Sequence, residues 1–273
     1  PYGPPAPSRY RTVHLQRAKD EGRRFAMLTA YDAMTAALLD EAGVEVLLVG
    51  DSVGNTVLGH SSTLPVTLDQ MILFSQAVVR GAQRALVVAD LPFGSYEASP
   101  QQAVESAVRL VKESGAHAVK VEGDERFAEH VAAMTAAGVA VIAHIGFTPQ
   151  SEHVFGGYRV QGRGAGAAEA MTASAAALEA AGAFAVLMEM VPSDVAAAVD
   201  AALRVPTVGI GAGPGTTGQV LVWQDMLGLR EGRTPRFVRQ YARLHEVIGE
   251  GVRAYRRDVL DGAFPAPEHG FEA

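Results

Sequence analysis

Six ionisable side chains stand at one recurring place along this chain. Asp51, Asp90, Glu122, His144 and Glu189 each close a short apolar run, and Lys120 lies two residues before Glu122. One acid after an apolar run is ordinary, since turns often carry Asp or Glu. Five ionisable residues after five successive runs point to a shared site, because buried charged groups need partners. Two aspartates, Asp51 and Asp90, on neighbouring strands suit a hard divalent cation. Mg²⁺ takes carboxylate oxygens and keeps positions open for water or a chelating substrate. Zinc would call for more histidines at run ends than His144 alone. The group His144, Asp51 and Asp90 would also suit another transition metal, and a satisfied core histidine is the plain alternative for His144. Lys120 and Glu122 are two apart, so in a strand they share a face, and Val119 and Val121 take the other. Lys120 then points inward and needs an anion: Glu122, a neighbouring Asp, or a substrate carboxylate. A buried Lys120–Glu122 pair that only orders the strand is the alternative, although such pairs seldom add stability over apolar packing.

The phrase that positions these residues is a helix, a glycine, a valine-rich run and then the polar residue. It occurs at Gly43–Asp51, Gly81–Asp90, Gly115–Glu122, Gly138–His144 and Gly182–Glu189. The glycine supplies a left-handed helix end, and the apolar run reads as a strand buried on both faces, as parallel strands are. Phe25 to Ala30 precedes the series, Pro206 to Ile210 follows it, and Val220 to Trp223 is a weaker eighth strand. Thr67–Gln70 and Ser99–Gln102 read as capping boxes opening helices, the second with Pro100 at the first helical position. Residues 100–114 and 165–181 read as helices. Strands alternating with helices imply a parallel sheet, and eight of them a closed α/β barrel of the (β/α)8 TIM type, with its site at the C-terminal mouth. An open doubly wound sheet is the alternative. Its dinucleotide fingerprint is missing, since Gly209–Gly213 comes late and lacks the helix and acid that should follow. Val13 to Asp20 is expected as a short helix capping the bottom of the barrel. Arg236 to Leu260 is expected as the eighth outer helix with an extension.

Two long connections reach the expected mouth. Ser52 to Thr67 is rich in glycine and hydroxyl residues and reads as a lid or as a surface excursion. Phe155 to Gly164 is glycine-rich, and its Arg159 and Arg163 either meet an acidic substrate or are solvated. The whole of residues 1–273 is taken as one barrel domain, with a loose proline-rich start at 1–8 and an extended tail at 262–273. The chain begins at Pro1, so an initiating methionine is taken as lost or trimmed. It is 48% hydrophobic, enough for a sizeable core, and its net charge of −7 is scattered, with no basic stripe for nucleic acid. It has no cysteine, which removes disulfides, thiolate metal sites and a cysteine nucleophile, and suits a cytoplasmic location. No apolar run reaches the roughly 18 residues of a membrane span, and nothing reads as a signal peptide.

At the level of whole phrases the chain resembles the ketopantoate hydroxymethyltransferase family. The phrases are Leu28–Asp32, Val49–Ser52, Gly59–Thr67, Ala89–Phe93, Val119–Gly123, Gly146–Gln150, Phe155–Tyr158 and Gly209–Gly213, in the family's order from about Thr12 to the tail. The resemblance implies a β/α barrel that transfers a one-carbon unit from 5,10-methylenetetrahydrofolate to 3-methyl-2-oxobutanoate, giving 2-dehydropantoate. It implies that Asp51 and Asp90 hold Mg²⁺, with Glu122 beside the metal through water. It implies that Ser52 and Lys120 bind the oxoacid carboxylate, that His144 lines the substrate site, and that Glu189 is the base. It also implies a large homo-oligomer, a decamer. One departure is Thr217-Gly-Gln219, where the family commonly has Asp at the first position. That puts a local contact in question, not the metal or the base.

The residue types suit this chemistry independently. A 2-oxoacid chelates a metal through its keto and carboxylate oxygens, and Mg²⁺ stabilises the enolate left when the C3 proton departs. A buried carboxylate with a raised pKa can take that proton. The enolate then attacks the folate methylene, which opens to an iminium. Three other readings stand beside this one. A lyase of the isocitrate lyase type relies on a cysteine that this chain lacks. An oxoacid sensor would bind without folate-dependent turnover. A scaffold has no use for an inward lysine among strand-end acids.

Overall fold

A computed structural model describes residues 7–271, apart from 165, 231 and 233. The chain divides into two compact units, Pro1–Val222 and Trp223–Ala273. The first contains a closed parallel barrel whose strands follow one another in sequence order. They are β1 (Phe25–Thr29), β2 (Val46–Val49), β3 (Leu86–Asp90), β4 (Ala118–Glu122), β5 (Val141–Gly146), β6 (Ala185–Glu189), β7 (Thr207–Ile210) and β8 (Gly218–Leu221). The helices of this unit are α1 (Thr12–Asp20), α2 (Ala33–Glu41), α3 (Val53–Thr56), α4 (Leu68–Gly81), α5 (Pro100–Ser114), α6 (Ala128–Ala136), α7 (Glu152–Phe155), α8 (Ala167–Ala180) and α9 (Ser193–Ala202).

Alternation along each strand divides the barrel into an apolar bottom and an ionisable top. Leu86 and Val88 precede Asp90 on the inner face of β3, Ala118 precedes Lys120 and Glu122 on β4, and Ile142 precedes His144 on β5. The register aligns these changes of polarity: Asp90 pairs with Lys120, and Glu122 with His144. Helix α1 closes the bottom as expected. Its Leu15 and Ala18 are buried in one cluster with Phe25, Val46, Leu86 and Ala118 from the strands.

Helix boundaries follow their local signals. Thr67 and Gln70 form the reciprocal box that opens α4. Ser99 caps α5 by accepting from Gln102 N at 3.1 Å, but the Gln102 side chain accepts instead from Ala98 N at 2.9 Å, so only half of the second box forms. Gly115 ends α5 in the left-handed conformation at φ 79°. The eighth strand starts two residues earlier than expected. Gly218 pairs with Phe25, and a Cβ at 218 would meet the Phe25 ring at 2.5 Å. The close approach requires glycine there, and a glycine disguises a strand in sequence. The connection at 52–67 is packed rather than open, for it contains α3 and buries Val53, Thr63 and Val66.

In the second unit a short helix α10 (Trp223–Met226) precedes α11 (Leu244–Leu260), which covers most of the expected 236–260 helix. Residues 262–271, expected to be extended, contain a 3₁₀ turn at Pro267–His269 and bring the Phe264 ring 5.5 Å from Tyr255. The expectation of a loose start falls mainly on residues 1–6, outside the described residues, as does the end of the tail. Among the described residues, no helix is long and apolar enough to cross a membrane.

Candidate active site

All seven residues singled out by sequence lie at the C-terminal mouth or just beyond it. Lys120 is at the centre. Its Nζ is 3.2 Å from Asp90 Oδ1, 3.5 Å from Glu122 Oε1 and 3.2 Å from His144 Nδ1. His144 Nε2 in turn lies 3.5 Å from Glu189 Oε2. Asp51 follows β2, and its backbone N–H donates to Asp90 Oδ2 at 3.0 Å. Ser52 folds back over Gly50: a Cβ at Gly50 would meet Ser52 Oγ at 2.7 Å and Asp90 Oδ2 at 3.6 Å. The Ser52 hydroxyl pairs with Tyr31 Oη at 2.8 Å. Asp51, Asp90, Lys120, Glu122 and His144 are all buried, whereas the Glu189 side chain keeps 16% of its surface open toward solvent.

Burial sets the electrostatics. It raises Asp51 to about 8, with the charges of Glu122 and Asp90 adding and Lys120 opposing. It raises Asp90 to about 6 against the pull of Lys120 and the Asp51 N–H. It raises Glu189 to about 8, with Glu122 adding. Burial works against the charge of Glu122 too, but Lys120 and then His144 outweigh it and hold that carboxyl below the usual range. Lys120 loses hydration on burial, yet Asp90, Glu122 and Asp51 outweigh that loss and keep it charged. Burial, and then Lys120, lower His144, so its ring is neutral. Nδ1 of that ring lies between Lys120 Nζ at 3.2 Å and Glu122 Oε1 at 3.3 Å, and Nε2 faces Glu189.

The donor set fits a divalent cation bound by few protein ligands. Asp90 Oδ1 and Glu122 Oε1 are buried, and they face Lys120 Nζ at 3.2 and 3.5 Å, with His144 Nδ1 3.3 Å from the latter. Among the described residues no three acidic or histidine side chains form a closed metal cage. A hard cation needs no such cage where one or two carboxylates serve it and substrate and water take the other positions.

Sequence reasoning missed two residues that hold this site together. Gln150 is buried beyond β5, and its Nε2 donates to Asp51 Oδ2 at 2.8 Å. Tyr96, after β3, donates to Gln150 Oε1 at 2.6 Å and accepts from Glu122 N at 3.1 Å. Tyr96 lies in an irregular segment and Gln150 in a single 3₁₀ turn, Pro149–Ser151, both too short for periodicity to indicate direction. The one available signal was Gln150's place in the Gly146–Gln150 phrase. Met190, directly after Glu189, has φ 50°, a conformation that side chains other than glycine seldom adopt. Arg159 and Arg163 are exposed. Position 217 is at the opposite end of the barrel, where the Thr217 hydroxyl donates to Asp200 Oδ1 at 2.9 Å and Lys19 pairs with Asp200 Oδ2 at 2.7 Å. An Asp at 217 would face a second carboxylate there, far from the mouth.

Comparison with known proteins bears on this geometry. The family model described as ketopantoate hydroxymethyltransferase matches residues 9–267. A protein of Paenarthrobacter aurescens named 3-methyl-2-oxobutanoate hydroxymethyltransferase is 62% identical over 97% of this chain and 87% of its own length. One of the same name from Leifsonia xyli is 58% identical over 98% of this chain and 96% of its own. Among solved structures, a phosphonopyruvate hydrolase complex with oxalate and Mg²⁺ superposes with a TM-score of 0.61 at 17% identity, covering 95% of this chain and 93% of that one. A 2,3-dimethylmalate lyase of the PEP mutase/isocitrate lyase superfamily superposes at 0.59 and 17%, covering 94% and 92%. At that identity the likeness is one of fold.

Proposed function

This chain belongs to the ketopantoate hydroxymethyltransferase family, and we propose that it transfers a one-carbon unit from 5,10-methylenetetrahydrofolate to C3 of 3-methyl-2-oxobutanoate, giving 2-dehydropantoate. The observation that carries the proposal is the arrangement at the mouth. A buried lysine stands among carboxylates on one side, and a protonatable carboxylate, Glu189, stands on the other across His144.

In this reading Lys120 and Ser52 take the substrate carboxylate, a charge-assisted pairing strengthened by burial. Asp51 and Asp90 would hold Mg²⁺, with Glu122 beside it. The ion, when bound, would polarise the keto group and stabilise negative charge developing on its oxygen. Glu189 removes the C3 proton. Its raised pKa makes it a stronger base than an exposed glutamate and leaves it able to return a proton near neutral pH. His144 Nε2 faces Glu189 at 3.5 Å and helps to line the site beside the base. Water hydrolyses both carbon–nitrogen bonds of the folate methylene, releasing tetrahydrofolate and a one-carbon unit at the formaldehyde level. The C3 carbanion adds to that carbon, and its oxygen takes up a proton to become the new hydroxyl. A homo-oligomeric, cytoplasmic enzyme belongs to the same proposal, supported by family membership and by a chain without cysteine.

The test is product analysis. The protein is mixed with Mg²⁺, 3-methyl-2-oxobutanoate and methylenetetrahydrofolate, and each component is omitted in turn. We expect 2-dehydropantoate only in the complete mixture. Oxoacid binding with no product in the complete mixture would favour a sensor instead.

A further inference from the structure

The three carboxylates in the buried cluster share one feature. On each, one oxygen is held by an N–H: Asp90 Oδ2 by Asp51 N, Asp51 Oδ2 by Gln150 Nε2, and Glu122 Oε2 by Gln150 N at 2.9 Å. Gln150 therefore supplies two of the three contacts. Its amide cannot turn over, because Nε2 also donates to Leu91 O at 3.0 Å while Oε1 accepts the Tyr96 hydroxyl. Tyr96 is fixed in turn by the Glu122 N–H. Four segments are tied at one residue: the residues after β2 and β3 through its side chain, the end of β4 through its backbone N–H, and its own turn beyond β5.

We propose that Gln150, locked by Tyr96, is a positioning residue for the divalent-cation site. Its side-chain amide holds Asp51 Oδ2 and its backbone N–H holds Glu122 Oε2, which fixes both carboxylates and leaves the second oxygen of each outside these bonds. This rests on the reading above that these carboxylates serve a metal. An amide suits the task better than its nearest relatives. Leucine would fill the space but leave Asp51 Oδ2 and the Tyr96 hydroxyl without Gln150's hydrogen bonds. Glutamate would set a fourth carboxylate against Asp51 and the Leu91 carbonyl. Outer contacts that orient metal ligands typically contribute 10–100-fold in affinity.

Mn²⁺ titration of the full-length protein, read by the loss of the free-ion electron paramagnetic resonance signal, tests this without turnover. The wild type and Asp90→Asn come first. If the wild type takes up no Mn²⁺, or Asp90→Asn binds equally well, the metal site itself is wrong. Given a site that depends on Asp90, Gln150→Leu and Gln150→Glu should each weaken Mn²⁺ by about 10–100-fold. Raising Mn²⁺ should then restore much of the lost turnover, which a merely damaged fold would not allow. Mn²⁺ affinity within twofold of wild type in a folded Gln150 variant overturns the proposal. Should both Gln150 variants fail to fold, Tyr96→Phe decides on the same scale, since it removes the hydroxyl that locks the amide and accepts the Glu122 N–H while leaving Asp51, Asp90 and Gln150 in place.

Discussion

Glu189 is the residue on which the proposed chemistry turns, and its environment gives a signed prediction. C3 deprotonation requires no folate, so it can be followed alone as exchange of the C3 proton in heavy water with Mg²⁺ and 3-methyl-2-oxobutanoate. With Glu189 raised to about 8 by burial and then by Glu122, exchange should rise with pH through 6 and 7 and level off above about 8. Glu189→Gln should lower it by roughly 10²–10⁴-fold, the usual contribution of a general base. The same shift has a stability sign. A carboxyl whose folded pKa lies above its unfolded value stabilises fully below the unfolded pKa, and that contribution is lost as pH rises through the folded one. Glu189→Gln should therefore melt near the wild type at pH 5 and above it at pH 9. Near-normal exchange in the Gln variant would move the role of base elsewhere, with His144 first in line. Glu189, Lys120 and the other strand-end residues were legible in sequence because strand alternation fixes both their direction and their height. Gln150 and Tyr96 were not, since their positions depend on turns whose course only the folded chain reveals.

At the scale of elements, the sequence resolves a strand or helix best where its ends carry strong punctuation. The run from Gly81 to Asp90 and the helix at Pro100–Ser114 were legible for that reason. β8 was displaced because Gly218 lies inside it, and the side of β1 that demands this glycine is remote in sequence. The bottom of the barrel gives the second prediction. Leu15 of α1 is buried against the first residues of the strands, at the end opposite the mouth. Leu15→Ala leaves a cavity that neighbouring strands cannot close, so unfolding in urea should lose about 2–5 kcal/mol. C3 exchange measured under folded conditions should stay within about twofold of wild type, since effects at distant sites without shared partners are independent. A large loss of exchange would mean that α1 helps to shape the mouth as well as closing the base.

At the scale of the molecule, the barrel carries an apolar plug at one end and excess acid at the other, and stability should follow from that division. A closed barrel leaves no strand edge free. Without a cation, the folded state must accommodate Asp51 raised to about 8, Asp90 to about 6 and Glu189 to about 8, each above its unfolded value of 3.8, 3.8 or 4.5. All three contribute stability below about pH 4 that is lost progressively as pH rises to about 8. Glu122 has the opposite sign, being held below its usual range, and Lys120 stays charged across the whole interval, so neither reverses the trend of the other three. Below pH 4 carboxylates such as Asp200 become protonated. Burial disfavours their charge, but in Asp200 the contacts of Lys19, Thr207 and Thr217 prevail and hold it low, so stability falls on that side as well. Melting in EDTA should thus peak near pH 4, where the acid-side loss has ended and the loss from the raised carboxylates begins, and decline toward pH 8.5. Mg²⁺ binds the deprotonated carboxylates and releases their protons, so its stabilising effect should be small at pH 5.5 and should grow with pH, increasing further when the oxoacid is added. A melting temperature in EDTA that climbs between pH 6 and 8.5, or a Mg²⁺ effect indifferent to pH, would mean that these carboxylates do not meet a cation at the mouth.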